Sequence, residues 1–203
     1  MAVAVVGLTF AEAVDEVLES IGENPASPTS GTEESDLVYA GIAKRAMTFL
    51  SREKIRVLTA GWPENTLIAH TVTGLGGDVL RIKGAGKDAH RTLVLGESGG
   101  TQKILDMNNG GAEETGSVVL DIVTEKTLKT ISPSVRDVIV ASAKVAFQRR
   151  MVGNPTQDSL LMQEYIQAEM RARRNQPRPD LQLPNIQPKI PGLNQSVGTR
   201  EQQ

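Results

Sequence analysis

The chain has 203 residues, a formal net charge of -2, two histidines and no cysteine. The absence of cysteine excludes disulfides, thiolate zinc sites and a cysteine nucleophile, and two histidines disfavour a histidine-rich metal site. Aromatic residues make up only 3% of it, and this, together with the near-neutral charge, argues against base-stacking platforms and a general attraction to DNA. No apolar run approaches the roughly 18 residues of a membrane span, and the first ten residues lack the basic flank and length of a signal peptide, so we expect synthesis in the cytoplasm.

The first predicted helix covers residues 9–21. Thr9 followed by Glu12 fits a capping box, in which each side chain bonds to the backbone N–H of the other residue. Apolar residues then recur at intervals of three and four, as one buried helix face requires: Phe10, Val14, Val17 and Ile21. Gly22 can adopt the left-handed conformation that ends a helix, so a loop is predicted to follow.

A second helix is predicted over residues 33–58. Its buried face would contain Val38, Ile42 and Phe49. The helix is predicted to end before Gly61-Trp62-Pro63, because a proline biases the residue before it toward an extended conformation.

Residues 64–123 have the pattern of a small β domain. Five short β-rich runs alternate with glycine clusters: NTLIAHTV, DVLRIK, HRTLVLG, TQKILDM and SVVLDIV. Short runs of this kind, separated by turn residues, predict antiparallel hairpins.

Helical periodicity returns at Ser132, where the Ser132-Pro133 pair fits an N-cap followed by a first-turn proline. The buried face of this third helix is predicted to contain Val135, Val138, Ile139, Ala143 and Ala146. The helix closes at Gly153, and Asn154-Pro155 turns the chain into a fourth helix that ends near Arg174. The buried face of the fourth helix is predicted to contain Leu161, Tyr165, Ala168 and Ala172.

These elements predict an α+β fold: a four-helix bundle interrupted by a small antiparallel β domain and followed by an extended C-terminal arm. The discontinuous bundle comprises residues 8–60 and 124–175, the inserted β domain 61–123 and the proline-rich arm 176–203. The arm holds five of the ten prolines and shows no helical or strand period, so we do not expect it to fold alone. Its spaced apolar residues are predicted to bind a partner: Leu181, Leu183, Ile186, Ile190 and Leu193.

Charge is distributed unevenly along the sequence. Residues 1–43 carry eight acids and no Lys or Arg, Lys44 to Arg56 contains five bases against one acid, and residues 144–174 carry six bases against three acids. This polarity suits copies of one chain that pack side by side, although solvated helix faces give the same pattern for any single cluster. The residues predicted to form this subunit interface are Glu12, Glu16, Glu19, Arg149, Arg150 and Arg171.

One short motif suggests catalysis. GESGG, residues 96–100, has the G-x-S-x-G spacing of a nucleophile elbow, but an elbow opens a helix, whereas the following TQKILDM is predicted to be a strand. His70 and His90 both precede Ser98, so the usual order of the triad residues is absent. Ser98 is therefore predicted to lie in a hairpin turn, and no catalytic, cofactor-binding or metal site is predicted.

Several longer segments occur together in a particular order. They are FAEAVDEVLESIGENPAS near the start, the Gly61-Trp62 pair after the second helix, the runs VLRI and RTLVLGES, and ISPSVRDVIVASAKVAFQRRMVGNP near the end. The most specific parts are E-S-I-G-E-x-P and R-D-x-I-x-x-x-A-x-x-x-F-x-x-R-x-x-G. In this order the segments resemble the tail tubular protein A family, the head-to-tail adaptors of short-tailed bacteriophages, over about residues 10–175.

The resemblance implies a structural protein of the virion, made in the host cytoplasm and placed in the tail at the head-tail junction. In the family, twelve copies form a ring between the portal protein and the tail nozzle protein, tail tubular protein B, and double-stranded DNA passes through the channel. No enzymatic activity, cofactor or membrane partner is expected. Two alternatives stay open: a hydrolase using the Gly96–Gly100 serine turn or carboxylates such as Glu97 and Glu113, and a cytoplasmic scaffold module unrelated to phage.

Overall fold

The computed structural model describes residues 8–98 and 100–176. Its helices are α1 (Phe10–Glu19), α2 (Gly41–Thr59), α3 (Pro133–Met151) and α4 (Pro155–Asn175). Its strands are β1 (Thr66–Val72), β2 (Val79–Gly84), β3 (Leu93–Ser98), β4 (Thr101–Asp106), β5 (Ala112–Glu113) and β6 (Val118–Thr124). The fold is therefore α+β, as predicted, with all the described strands between α2 and α3. Among the described helices, none combines the length and apolar character needed to cross a membrane.

The helix α1 begins as the sequence predicts. Thr9 Oγ1 accepts a hydrogen bond from the Glu12 backbone N–H at 3.2 Å, and Glu12 Oε2 accepts one from the Thr9 N–H at 2.7 Å. Beyond the end of the helix, Gly22 has a φ of +82°, the left-handed conformation that glycine adopts without strain. The buried face then packs against α2 and α3.

The predicted start of α2 is wrong, because the helix begins at Gly41 and not at Glu33. The Asp36 side chain accepts hydrogen bonds from the backbone N–H groups of Thr32 and Glu33 at 3.2 and 2.8 Å. A side chain that bonds locally to the backbone offers the chain an alternative to the helix. The segment therefore forms a turn, which leaves Val38 48% exposed instead of on the buried face of a helix.

The helices α3 and α4 form the second half of the bundle. Buried residues of α3 lie on more than one face, which makes it the central helix. Asn154 caps α4, because its Oδ1 accepts from the N–H groups of Thr156 and Gln157 at 3.0 and 3.4 Å. The helix α4 buries the small residues Ala168 and Ala172, so it packs on the bundle through a narrow stripe.

The strands form two three-stranded antiparallel sheets, in the orders β1-β6-β2 and β3-β4-β5. The predicted hairpin of β3 with β4 is present in the second sheet, but β5, which pairs with β4, lies in a glycine-rich segment that was predicted to be a turn between strands. In the first sheet the predicted hairpins are wrong, because β1 and β2 each pair with the distant β6. The physical reason is the burial of β6: Val118, Leu120 and Ile122 are fully or almost fully buried, so this strand lies at the centre of the sheet.

Two apolar clusters fill the structure, one among the helices and one between the two sheets. Asn65, only 2% exposed, lies where the chain passes from one to the other. Its Nδ2 donates hydrogen bonds to the carbonyls of Leu58 at 3.1 Å and Thr124 at 2.9 Å, and its Oδ1 accepts from the Trp62 N–H at 2.8 Å. This side chain ties the end of α2 to the end of β6. The division into bundle and inserted β domain stays a prediction.

Candidate assembly surfaces

The GESGG turn joins two strands. The strand β3 ends at Ser98, β4 begins at Thr101, and these two residues pair with each other. A nucleophile elbow places its serine between a strand and a helix, so the chain does not form an elbow here and the predicted hairpin turn is confirmed. Of the alternative carboxylates, Glu97 is exposed, and Glu113 is held by Lys103 at 2.6 Å. His70 lies on β1, and within the described residues no three histidine or acidic side chains are placed to hold a metal ion.

Three of the six predicted interface residues bond to other side chains of the described chain. Glu12 caps α1, Glu16 pairs with Lys144 of α3 at 3.0 Å, and the Arg149 guanidinium binds both carboxylate oxygens of Asp158, at 2.6 and 3.1 Å. The other three residues, Glu19, Arg150 and Arg171, are exposed, and Arg171 Nε donates to the Gln167 carbonyl of its own helix at 3.3 Å. The charge asymmetry of the sequence is thus partly neutralised inside one chain, and the subunit interface stays a prediction.

The predicted partner-binding residues of the arm lie outside the described residues, which end at Gln176. They are Leu181, Leu183, Ile186, Ile190 and Leu193.

The outward face of α4 was not predicted as a surface. Gln163, Ile166, Gln167 and Met170 recur at helical spacing opposite the buried alanines, and all four are exposed, Met170 by 54%. None of the four side chains carries a formal charge, and neither Ile166 nor Met170 belongs to the apolar cluster among the helices. The pattern is visible in the sequence, because an outward helix face normally carries charged residues.

A second exposed apolar surface lies on β1, an edge strand of its sheet. Leu67 and Ile68 are exposed, Ile68 by 70%. The pairing of β1 with β6 shifts register between Leu67 and His70, where Ala69 has a φ of +49° and donates its N–H to Asp121 Oδ1 at 2.9 Å. A β-bulge of this kind bends the edge strand of a sheet and changes the direction in which its side chains point. Exposed apolar residues on an edge strand are typical of a contact surface.

An ion cluster joins three segments where the helices meet the sheets. Lys54 of α2 pairs with Glu34 of the preceding loop at 2.5 Å and with Glu125, just after β6, at 2.7 Å. The second oxygen of Glu34 accepts from the Leu128 N–H at 2.7 Å. Burial acts to lower the pKa of Lys54, but its hydrogen bonds to Glu125 and Glu34 outweigh that effect and hold the pKa above its ordinary value. The lysine therefore stays charged at neutral pH.

A second ion cluster surrounds Arg91 in the β region. Its guanidinium binds Asp106 at 2.7 Å, Asp88 at 3.4 Å and also Glu114. Hydrogen bonds from Arg91 lower the pKa values of Asp106 and Glu114. The pKa of Asp88 is lowered mainly by a hydrogen bond from the Val119 N–H and to a smaller extent by one from Arg91. Arg91 and Asp88 precede β3, Asp106 ends β4 and Glu114 follows β5. The cluster therefore connects the segment before β3 to the ends of β4 and β5.

We expect the Arg91→Gln variant to be less stable than the parent protein at pH 7 and to approach it as the pH falls below about 4. A carboxyl with a lowered pKa in the folded state contributes stability above its unfolded pKa and loses it as the pH falls through the folded value. Denaturant unfolding measured from pH 7 to pH 3 tests this. The control is Arg150→Gln, an exposed arginine without an ion pair among the described residues, whose effect should be small at every pH. A stability difference for Arg91→Gln that stays constant with pH would contradict the expectation.

The exposed apolar residues on α4 and on the edge strand β1 give this α+β chain surfaces that suit contact with other proteins. The tail tubular protein family model matches residues 11–180, and the chain belongs to this family. It is therefore a structural component of a bacteriophage tail, as its sequence resemblance predicts. No curated protein matches the chain.

Proposed function

We propose that the protein is a head-to-tail adaptor of a short-tailed bacteriophage. Twelve copies form a ring between the portal protein and the tail nozzle protein, tail tubular protein B, and double-stranded DNA passes through the channel of the ring. The observation that carries the proposal is the family match over residues 11–180. The sequence segments that resemble the tail tubular protein A family support it further. On this proposal the protein catalyses no reaction.

The ring itself needs two different patches of the chain that fit each other, because neighbours in a closed ring meet head to tail. The outward face of α4 that Gln163, Ile166, Gln167 and Met170 form is one such patch, and Ile55 on α2 is an exposed apolar residue on a different helix. The exposed charges Glu19, Arg150 and Arg171 add polar contacts at the rim. Contacts of this kind set the register between subunits more than they set affinity.

The exposed β1 strand supports contact with the nozzle. The family resemblance implies that the β region faces the nozzle protein, and Leu67 and Ile68 give this region an apolar contact surface. An edge strand also presents unpaired backbone groups to which an extended segment of a partner can bind.

The arm supports attachment to the portal. At about 3.1 Å per residue, its 28 residues span up to roughly 80 Å in the polyproline conformation, enough to reach a neighbouring subunit or a portal protein. Burial of each of Leu183, Ile186 and Ile190 contributes about 1.5–3 kcal/mol before ordering costs. A single arm binds weakly. The arms of a closed ring bind together, so their combined attachment is stronger through avidity.

We expect a chain that ends after Asn175 to fold but to attach to portal rings at least about tenfold more weakly, because each tenfold in affinity corresponds to 1.4 kcal/mol and several apolar anchors are lost. The described core ends at Ala172, so the truncation removes none of it. Electron microscopy and co-sedimentation of the chain mixed with portal rings measure the attachment.

The matched control is a chain that ends after Val197, which is shorter but keeps every apolar anchor of the arm. It should attach like the full chain. Undiminished attachment of the chain ending after Asn175 would refute the role of the arm, and a full chain that never adds to portal rings would refute the adaptor proposal.

A further inference from the structure

An apolar groove of about 520 Å³ lies where the described chain ends. Trp62, Val135 and Ala172 form its buried floor. Its rim includes Pro63, Glu64 and Ser134, and Gln176, the last described residue, lies at one side. The groove therefore belongs to the junction of α2, α3 and α4 and opens beside the point where the arm begins.

The chemistry of the groove fits an extended, proline-rich segment. Trp62 Nε1 donates to the Val57 carbonyl at 2.9 Å, so the polar atom of the indole is already satisfied and only its apolar surface faces the groove. Arg173 lies over the ring at 6.0 Å from its centroid. Aromatic-lined grooves bind polyproline segments, because these segments are already extended and lose little entropy on binding.

The arm supplies such a segment within reach. Leu181 is five positions beyond Gln176, a distance of about 16 Å in the polyproline conformation. In the polyproline conformation, which has three residues per turn, Leu181 and Leu183 lie on different sides of the backbone, so only one of them at a time faces the floor of the groove. Arg178 follows Gln176 closely enough to meet the exposed carboxylate Glu64 at the rim.

We propose that residues 177–184 of the arm occupy this groove of their own chain, with Leu181 or Leu183 seated on the floor formed by Trp62, Val135 and Ala172. A short tether gives the segment a millimolar effective concentration, so docking in the same chain precedes docking in a second copy. Ile186, Ile190 and Leu193 stay available beyond the docked segment. The consequence for assembly rests on the proposed function: free subunits do not bind one another through Leu181 and Leu183.

The test is the mobility of a spin label on the free full-length chain, without portal rings. The chain has no cysteine, so Gln182→Cys creates a single labelling site. We expect an immobilised spectrum, and we expect Leu181→Asp together with Leu183→Asp to raise the ratio of mobile to immobile label at least about tenfold, the factor set by burial of one leucine. Ser134→Arg, which fills the groove from its partly exposed rim, should release the label equally.

Ser159→Arg is the matched control, because it makes the same change on an exposed site of α4 about 20 Å from the groove end of that helix. It should leave the label immobile. A mobile label in the parent chain, or a label that Ser134→Arg does not release, would overturn the proposal. Immobilisation that disappears on dilution would overturn docking in the same chain in favour of a second copy. Since no portal is present, none of these outcomes depends on the adaptor role.

Discussion

Replacing Asn65 by alanine is expected to lower the free energy of unfolding by about 2–4 kcal/mol. The change leaves the Trp62 N–H without its acceptor inside the protein and removes two further hydrogen bonds, to Leu58 and Thr124. An unpaired buried donor costs about 1–3 kcal/mol, and each lost hydrogen bond about 0.5–1.5 kcal/mol. Denaturant unfolding followed by far-ultraviolet circular dichroism measures the loss without relying on Trp62 as the probe.

The control for Asn65 is Asn109→Ala. Asn109 is exposed and its side chain makes no hydrogen bond within the described residues, so its effect should stay within about 0.5 kcal/mol. Equal stability of the two variants would mean that the junction between α2 and β6 does not depend on Asn65.

Lys54→Met is expected to cost about 2–3 kcal/mol at pH 7. Removing one partner of a buried ion pair costs about 3–5 kcal/mol, and the partial exposure of the Glu125 side chain, 38%, reduces this through solvent screening. The loss arises because two carboxylates, Glu34 and Glu125, are left close together without their cation.

A rescue experiment separates this charge effect from a loss of packing. Adding Glu34→Gln and Glu125→Gln to the Lys54→Met chain should restore part of the stability, because the repulsion disappears while residue 34 keeps an acceptor for the Leu128 N–H. Lys44→Met removes an exposed lysine of the same helix and should cost little. Failure of the rescue would assign the loss to the buried stem of Lys54 instead.

Local signals in the sequence located most helix ends. The capping residues Thr9 and Asn154 and the glycines Gly22 and Gly153 act within a few residues of themselves, so their effect is readable without the fold. The start of α2 is different, because Asp36 bonds to the backbone of its own turn and competes with a helix that the apolar spacing favours.

Contacts between distant parts of the chain were beyond sequence reasoning. The pairing of β1 and β2 with β6, and the meeting of Lys54 with Glu125, depend on how the whole chain folds and not on local spacing. The charge asymmetry was visible, but the partners within the chain, such as Lys144 for Glu16, were not. The outward face of α4 could have been found, since its missing charges are a local pattern.

The central position of β6 has a consequence for biosynthesis. Of the described strands it is the last to leave the ribosome, so β1 and β2 have no backbone partner until about residue 124 has been made, whereas the β3-β4-β5 meander closes as soon as it emerges. During that interval the apolar edge of β1 is open to other nascent chains. Slow translation after β2 therefore favours aggregation, and rapid synthesis of the last strand favours recovery of the folded subunit.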